Sequence, residues 1–135
     1  MAPPRNPFQY ALIRVIPDIA RGERLNVGVI LLCRTKRFLG ARVALDAPRL
    51  AALAPGLSPH DLEPHLDAVV RIAAGEPEAG PIARLNLAER FHWLVAPAST
   101  ILQASESHTG LCHDPATELD HLFDRLVAAP ASTEH

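Results

Sequence analysis

Two apolar runs, FQYALIRVI at 8–16 and NVGVILLC at 26–33, constrain this chain more than any other feature. They are rich in Val, Ile, Leu and Tyr and too short for convincing helices, so they read as β-strands. In the first, Tyr10, Leu12 and Ile16 fall on one face and Ala11, Ile13 and Val15 on the other. A strand apolar on both sides has to be covered on both sides, which places this pair in the middle of a sheet. Gly28 within the second run predicts a bulge or a close backbone approach.

Pro17 cannot donate to a ladder and ends the first strand. The connection PDIARGERL is longer than a usual hairpin loop, and loops of that length often carry function. It packs Asp18, Arg21, Glu23 and Arg24 around Gly22. Arg14 is the anomaly, a cation in an apolar strand on the Leu12 and Ile16 face. An unpartnered buried guanidinium costs several kcal/mol, so a compensating group is expected beside it, with Glu23 the first candidate. Two readings stay open, a structural ion pair or snorkelling side chain and a cation held for an anionic ligand.

After the polar turn Arg34–Lys36, the run 37–45 offers a third strand and completes an antiparallel meander. Asp46 caps a short helix from Ala47 to Ala54. Ser58, with Pro59 at the first helical position and Asp61 three residues beyond the cap, starts a second helix. That helix carries the stripe Leu62, Leu66, Val69, Val70 and Ala73 and ends at Gly75. Residues 76–81 read as a loop. Asn86 caps a third helix with Leu87, Phe91, Leu94 and Val95 inward and Trp93 expected in the core. Residues 99–105 read as a fourth strand, 106–114 as a loop, and Asp114-Pro115 opens a last helix with Leu119, Leu122, Phe123, Leu126 and Val127 on one side.

The expectation is therefore an α+β fold: one domain at 8–128, a mainly antiparallel four-stranded sheet with three to four helices. Residues 1–7 and 129–135 are expected to be flexible termini. A chain of 135 residues suits a single core. The first seven residues lack the apolar stretch of a signal peptide, and the run Val27–Cys33 is too short to span a membrane. Two cysteines, Cys33 and Cys112, are too few for a disulfide scaffold, which points to a cytoplasmic protein.

Charge is uneven, with nine of the 13 basic residues but only three of the 15 acidic ones in residues 1–50. Such asymmetry fits a nucleic-acid or acidic-partner face. It equally fits a basic sheet packed against acidic helices. Aromatic residues are few and not interleaved with the basic ones, which argues against stacking on nucleic acid.

No phosphate-binding loop, dinucleotide fingerprint or nucleophile elbow is present, so no cofactor is expected. His108, Cys112, His113 and His121 lack the paired short spacings of a zinc site. A different set is the candidate ligand cleft: Arg14, Glu23, Asn26, Arg90, Ser105, His108 and Thr109. If the fourth strand lies beside the hairpin, these could meet, with arginine binding an anion and the hydroxyls and amide completing its shell. Unrelated caps and ion pairs are the competing reading.

Several blocks together resemble one known family: Tyr10–Arg14, the stretch RGERLNVGV at 21–29, RFLG at 37–40, ERFHW at 89–93 and SHTG at 107–110. They resemble the bacterial family catalogued as domain of unknown function 3037, over about Phe8 to Val127. The resemblance carries no activity. It implies a paired or accessory role beside a HipA-like kinase encoded nearby. The leading expectation is thus a small accessory module that binds a protein partner through the 17–25 loop, with Arg21 and Arg24 as contacts. The alternatives are an enzyme or small-ligand binder using the polar cleft, and nucleic-acid binding through the basic half.

Overall fold

The computed structural model describes residues 4–96 and 101–128. Its centre is a five-stranded antiparallel sheet. Strands β1 (Asn6–Val15), β2 (Leu25–Cys33) and β3 (Phe38–Val43) form the expected meander. Beyond β1 lie β4 (Leu102–Ala104) and β5 (His108–Cys112), end to end along the same edge. Ile13 pairs with Ala104 but Tyr10 with His108, so the two registers differ by one residue. β4 and β5 are successive parts of one edge strand interrupted by a bulge.

This corrects the reading of 106–114 as a loop. Ser107 and Gly110 flank His108 and Thr109 without an apolar alternation, and pairing with β1 outweighs that weak local preference. The expected fourth strand is shorter than predicted at its described end. Its residues 99–100, like the tail 129–135, lie outside the described residues.

β1 and β2 are central, and both sheet faces are covered. One face carries Ile13, Val15, Leu25, Val27, Ile30, Leu32 and Leu39. It packs under helices α1 (Ala47–Leu53), α2 (Pro59–Ala74) and α3 (Leu87–Val95). The other carries Phe8, Leu12, Val29, Leu31, Cys33 and Cys112 under helix α4 (Pro115–Leu126). The helices begin where the caps predict. Asp46, Ser58, Asn86 and Asp114 each accept a first-turn N–H, and Ser58 and Asp61 form a reciprocal capping box. Residues 76–81, expected as a loop, fall mostly in two short 3-10 turns, Pro77–Ala79 and Pro81–Arg84. On α2, Ile72 is buried and Val70 only partly so.

Val27 carries the fold's most consequential irregularity. Ile13 pairs with Gly28 while Arg14 pairs with Asn26, leaving Val27 as an extra residue in β2. Period-two alternation would turn Val27 and Leu25 towards α4, beside Val29 and Leu31. The inserted residue inverts the alternation and returns both to the other core. Gly28 permits the kink, since a Cβ there would lie 3.0 Å from both Ile13 and Val43.

Trp93 corrects a further expectation. It is 45% exposed, whereas Phe91 and Leu94 fill the α3 side of the core. Among the described residues, no helix is long and apolar enough to cross a membrane.

Candidate interaction site

The bulge decides what surrounds Arg14. With alternation inverted, Asn26 shares the α4 face with Arg14 and accepts its Nε–H through Oδ1 at 3.1 Å. Asn26 Nδ2 in turn donates to the Leu126 carbonyl in the last turn of α4 at 3.0 Å. One amide thus ties the cation to an otherwise unsatisfied helix-end carbonyl.

The carboxylate expected at Arg14 is not Glu23, which is ion-paired with Arg21 in the loop. That pairing holds the Glu23 carboxyl below the usual carboxylate range. Burial, reinforced by the neighbouring charge of Arg24 and opposed by Glu106, lowers the proton affinity of Arg14. Arg14 is only partly buried, so a neutral acceptor and residual solvent can replace a full ion pair.

The 17–25 loop is built rather than slack. Asp18 Oδ1 accepts the Ala20 N–H at 3.0 Å and opens a 3-10 turn over Ile19–Arg21. Gly22, at φ 70°, closes it in the left-handed region where glycine is least strained. The turn presents Ile19 to solvent, 67% exposed. Hollows open on both sides of the loop. One, of about 210 Å³, is lined by Ile16, Ile19, Gly22, Glu23, Arg24 and Gln103. The other, of about 340 Å³, is lined by Glu23, Arg24, Leu25, Arg49, Ala52 and Leu53. Arg24 borders both, and among the described residues neither Arg14, Arg24 nor Arg49 forms an ion pair.

Arg14, Asn26, Glu23 and Arg24 therefore gather at one end of the sheet, while the remaining candidates go elsewhere. Ser105 accepts the Leu12 N–H at 2.9 Å and donates to the Glu106 carbonyl, which bridges the edge-strand bulge. His108 pairs across from Tyr10, ring centroids 5.2 Å apart. It shares the Arg14 face but lies four residues along β1, roughly 13 Å away at the usual strand rise. Thr109 pairs with Gln9 on the opposite face. Arg90 clamps two carbonyls, Leu85 at 2.7 Å and Ala73 at 3.3 Å, joining α3 to the end of α2.

Sequence reasoning did not single out Ile19, Gln103 or Arg49. For Ile19 a signal existed, a lone large apolar residue in a strongly charged loop. Arg49 and Gln103 are brought there only by tertiary pairing.

Cys112 is buried, and desolvation pushes its thiol up to about 11. A thiol in that state supplies little nucleophile near neutrality.

No curated protein and no solved structure matches the chain. The family model for proteins of unknown function designated DUF3037 matches residues 10–127. That match runs from within the first central strand to just past the last helix, covering most of the chain, and the chain belongs to the DUF3037 family.

Proposed function

We propose that this protein is a binding module of the bacterial cytoplasm that engages a protein partner through the loop end of its sheet. The observation that carries this reading is Ile19, exposed on a capped turn where it lines one of two hollows that share Glu23 and Arg24. An exposed apolar anchor beside an arginine is a composition that concentrates binding energy at protein interfaces. Arg14, Arg24 and Arg49 favour an acidic surface on the partner. The family resemblance points to a HipA-like kinase encoded nearby. Arg21, already held by Glu23, is the weaker of the two loop contacts.

A cleft enzyme is less well supported, since Arg90 and His108 stand apart from Arg14 and Arg90 is occupied with backbone carbonyls. Nucleic-acid binding is less well supported too, because Arg34 and Arg37 lie at the opposite end of the sheet from Arg14 and Arg24.

Co-expression with the neighbouring gene product tests the proposal. The pair is expected to co-purify at low salt, and I19D or R24E to weaken the complex at least about tenfold, as for a central contact. Failure to co-purify, or full retention by the I19D/R24E double variant, overturns it.

A further inference from the structure

The far end of the sheet carries a second cationic site, independent of the loop. Arg34 and Arg37 from the β2–β3 turn and Arg90 from α3 line one shallow hollow of about 490 Å³. Among the described residues its remaining wall is Asn86, Leu87 and Ala88, the start of α3, and none of those lining it is a carboxylate. The acid nearest in sequence, Glu89, is engaged by the Asn86 side-chain amide. Among the described residues neither Arg34 nor Arg37 forms an ion pair. Arg90 forms the inner wall, its guanidinium held by two carbonyls and its Nε buried without an acceptor among the described residues.

The backbone supplies a separate argument. The turn closes by the Arg37 N–H donating to the Arg34 carbonyl at 3.0 Å, and Arg37 itself sits at φ 51°. Glycine or asparagine fills this left-handed position at least cost. The chain places an arginine there, at a backbone expense that the turn does not require.

Arg34 also borders a neighbouring hollow of about 210 Å³ whose walls include Pro7, Phe8, Leu32 and Thr109. A cavity of about 150 Å³ already accepts a benzene ring. The two guanidinium groups of Arg34 and Arg37 suit a dianion better than a single carboxylate, and their forked donors match phosphate oxygens.

We propose that Arg34 and Arg37, facing the start of α3, form a binding site for the phosphate of an organic phosphomonoester, whose apolar substituent occupies the adjoining hollow. Titration of the whole chain with inorganic phosphate and with phenyl phosphate, followed by amide NMR, tests this. Both probes should give saturable shifts at 34–37 and 86–90. Phenyl phosphate should bind about tenfold more tightly and also move Phe8, Leu32 and Thr109. R37G should weaken both probes about tenfold while its melting temperature stays equal or rises, because glycine relieves the left-handed position. R34M should weaken binding with the fold intact, and I19D should leave it unchanged. Absence of saturable shifts, or wild-type affinity in R37G and R34M, overturns the site. Equal affinity for the two probes overturns the assignment of the apolar hollow.

Discussion

Asn26 reaches Arg14 because Val27 is an extra residue between them and the regular ladder. Without that insertion Asn26 would point into the core beneath α1 to α3, and Arg14 would face an apolar neighbour. A single backbone irregularity therefore sets both the burial of Val27 and the environment of the strand cation. Removing the amide should expose the dependence. N26A leaves the Arg14 Nε and the Leu126 carbonyl without partners, and a loss of about 1–3 kcal/mol is expected. N26D keeps an acceptor for Arg14 but not the donor to Leu126, and should fall between. Urea unfolding measures both, and an N26A stability equal to wild type would contradict the bridge.

Ser105 holds the broken edge strand to β1 by substituting its hydroxyl for a backbone acceptor. S105A should cost about 1–3 kcal/mol, the penalty of an unsatisfied, largely buried N–H, and S105T should recover most of it. Hydrogen exchange gives the local readout. The Leu12 amide should exchange faster in S105A, while amides within β2 keep their protection relative to global stability.

Gly110 lies beneath the Phe8 ring so closely that an added Cβ would come within 2.6 Å of it. Phe8 is itself buried and packed against Tyr10 at 6.1 Å between centroids, so it has little room to yield. G110A is expected to destabilise by about 1–3 kcal/mol through overpacking. In the F8L background the same substitution should cost less, giving a non-additive double-mutant cycle. Additive costs would mean that the ring and the glycine do not constrain each other.

Cys112 provides a pH signature. Its folded thiol is raised to about 11 by burial, above its ordinary value of 9.0. The folded state therefore favours the protonated thiol. The resulting stability is complete below pH 9 and is lost as pH rises towards 11. Denaturation midpoints measured from pH 7 to 11 should fall across that window. The cysteine-dependent part of the fall should vanish in C112A, which is less stable overall but lacks the titration. An identical alkaline slope in both proteins would assign the effect to another group.

The parts of this fold legible in the linear chain are those governed by neighbours in sequence. Asp46, Ser58, Asn86 and Asp114 mark helix starts because a cap needs only the N–H groups two or three residues ahead. The doubly apolar runs around Leu12 and Ile30 mark central strands because side-chain alternation is a property of the strand itself. Gly28 announced an irregularity for the same local reason. The existence of an arginine requiring compensation was equally visible at Arg14.

Who compensates it was not visible, because register is a relation between distant segments. One inserted residue inverts every assignment beyond it, exchanging Glu23 for Asn26 as the partner of Arg14. β5 escaped notice because its residues become a strand only through pairing with β1, and Trp93 could be placed only once Phe91 and Leu94 had filled the space beneath α3. The gathering of Arg24 with Arg49, and of Arg34 with Arg90, likewise arises where separate elements meet. Local chemistry wrote the elements into the chain, while the neighbours of each charged side chain were settled by how those elements packed, since burial and Coulomb interactions depend on proximity in space.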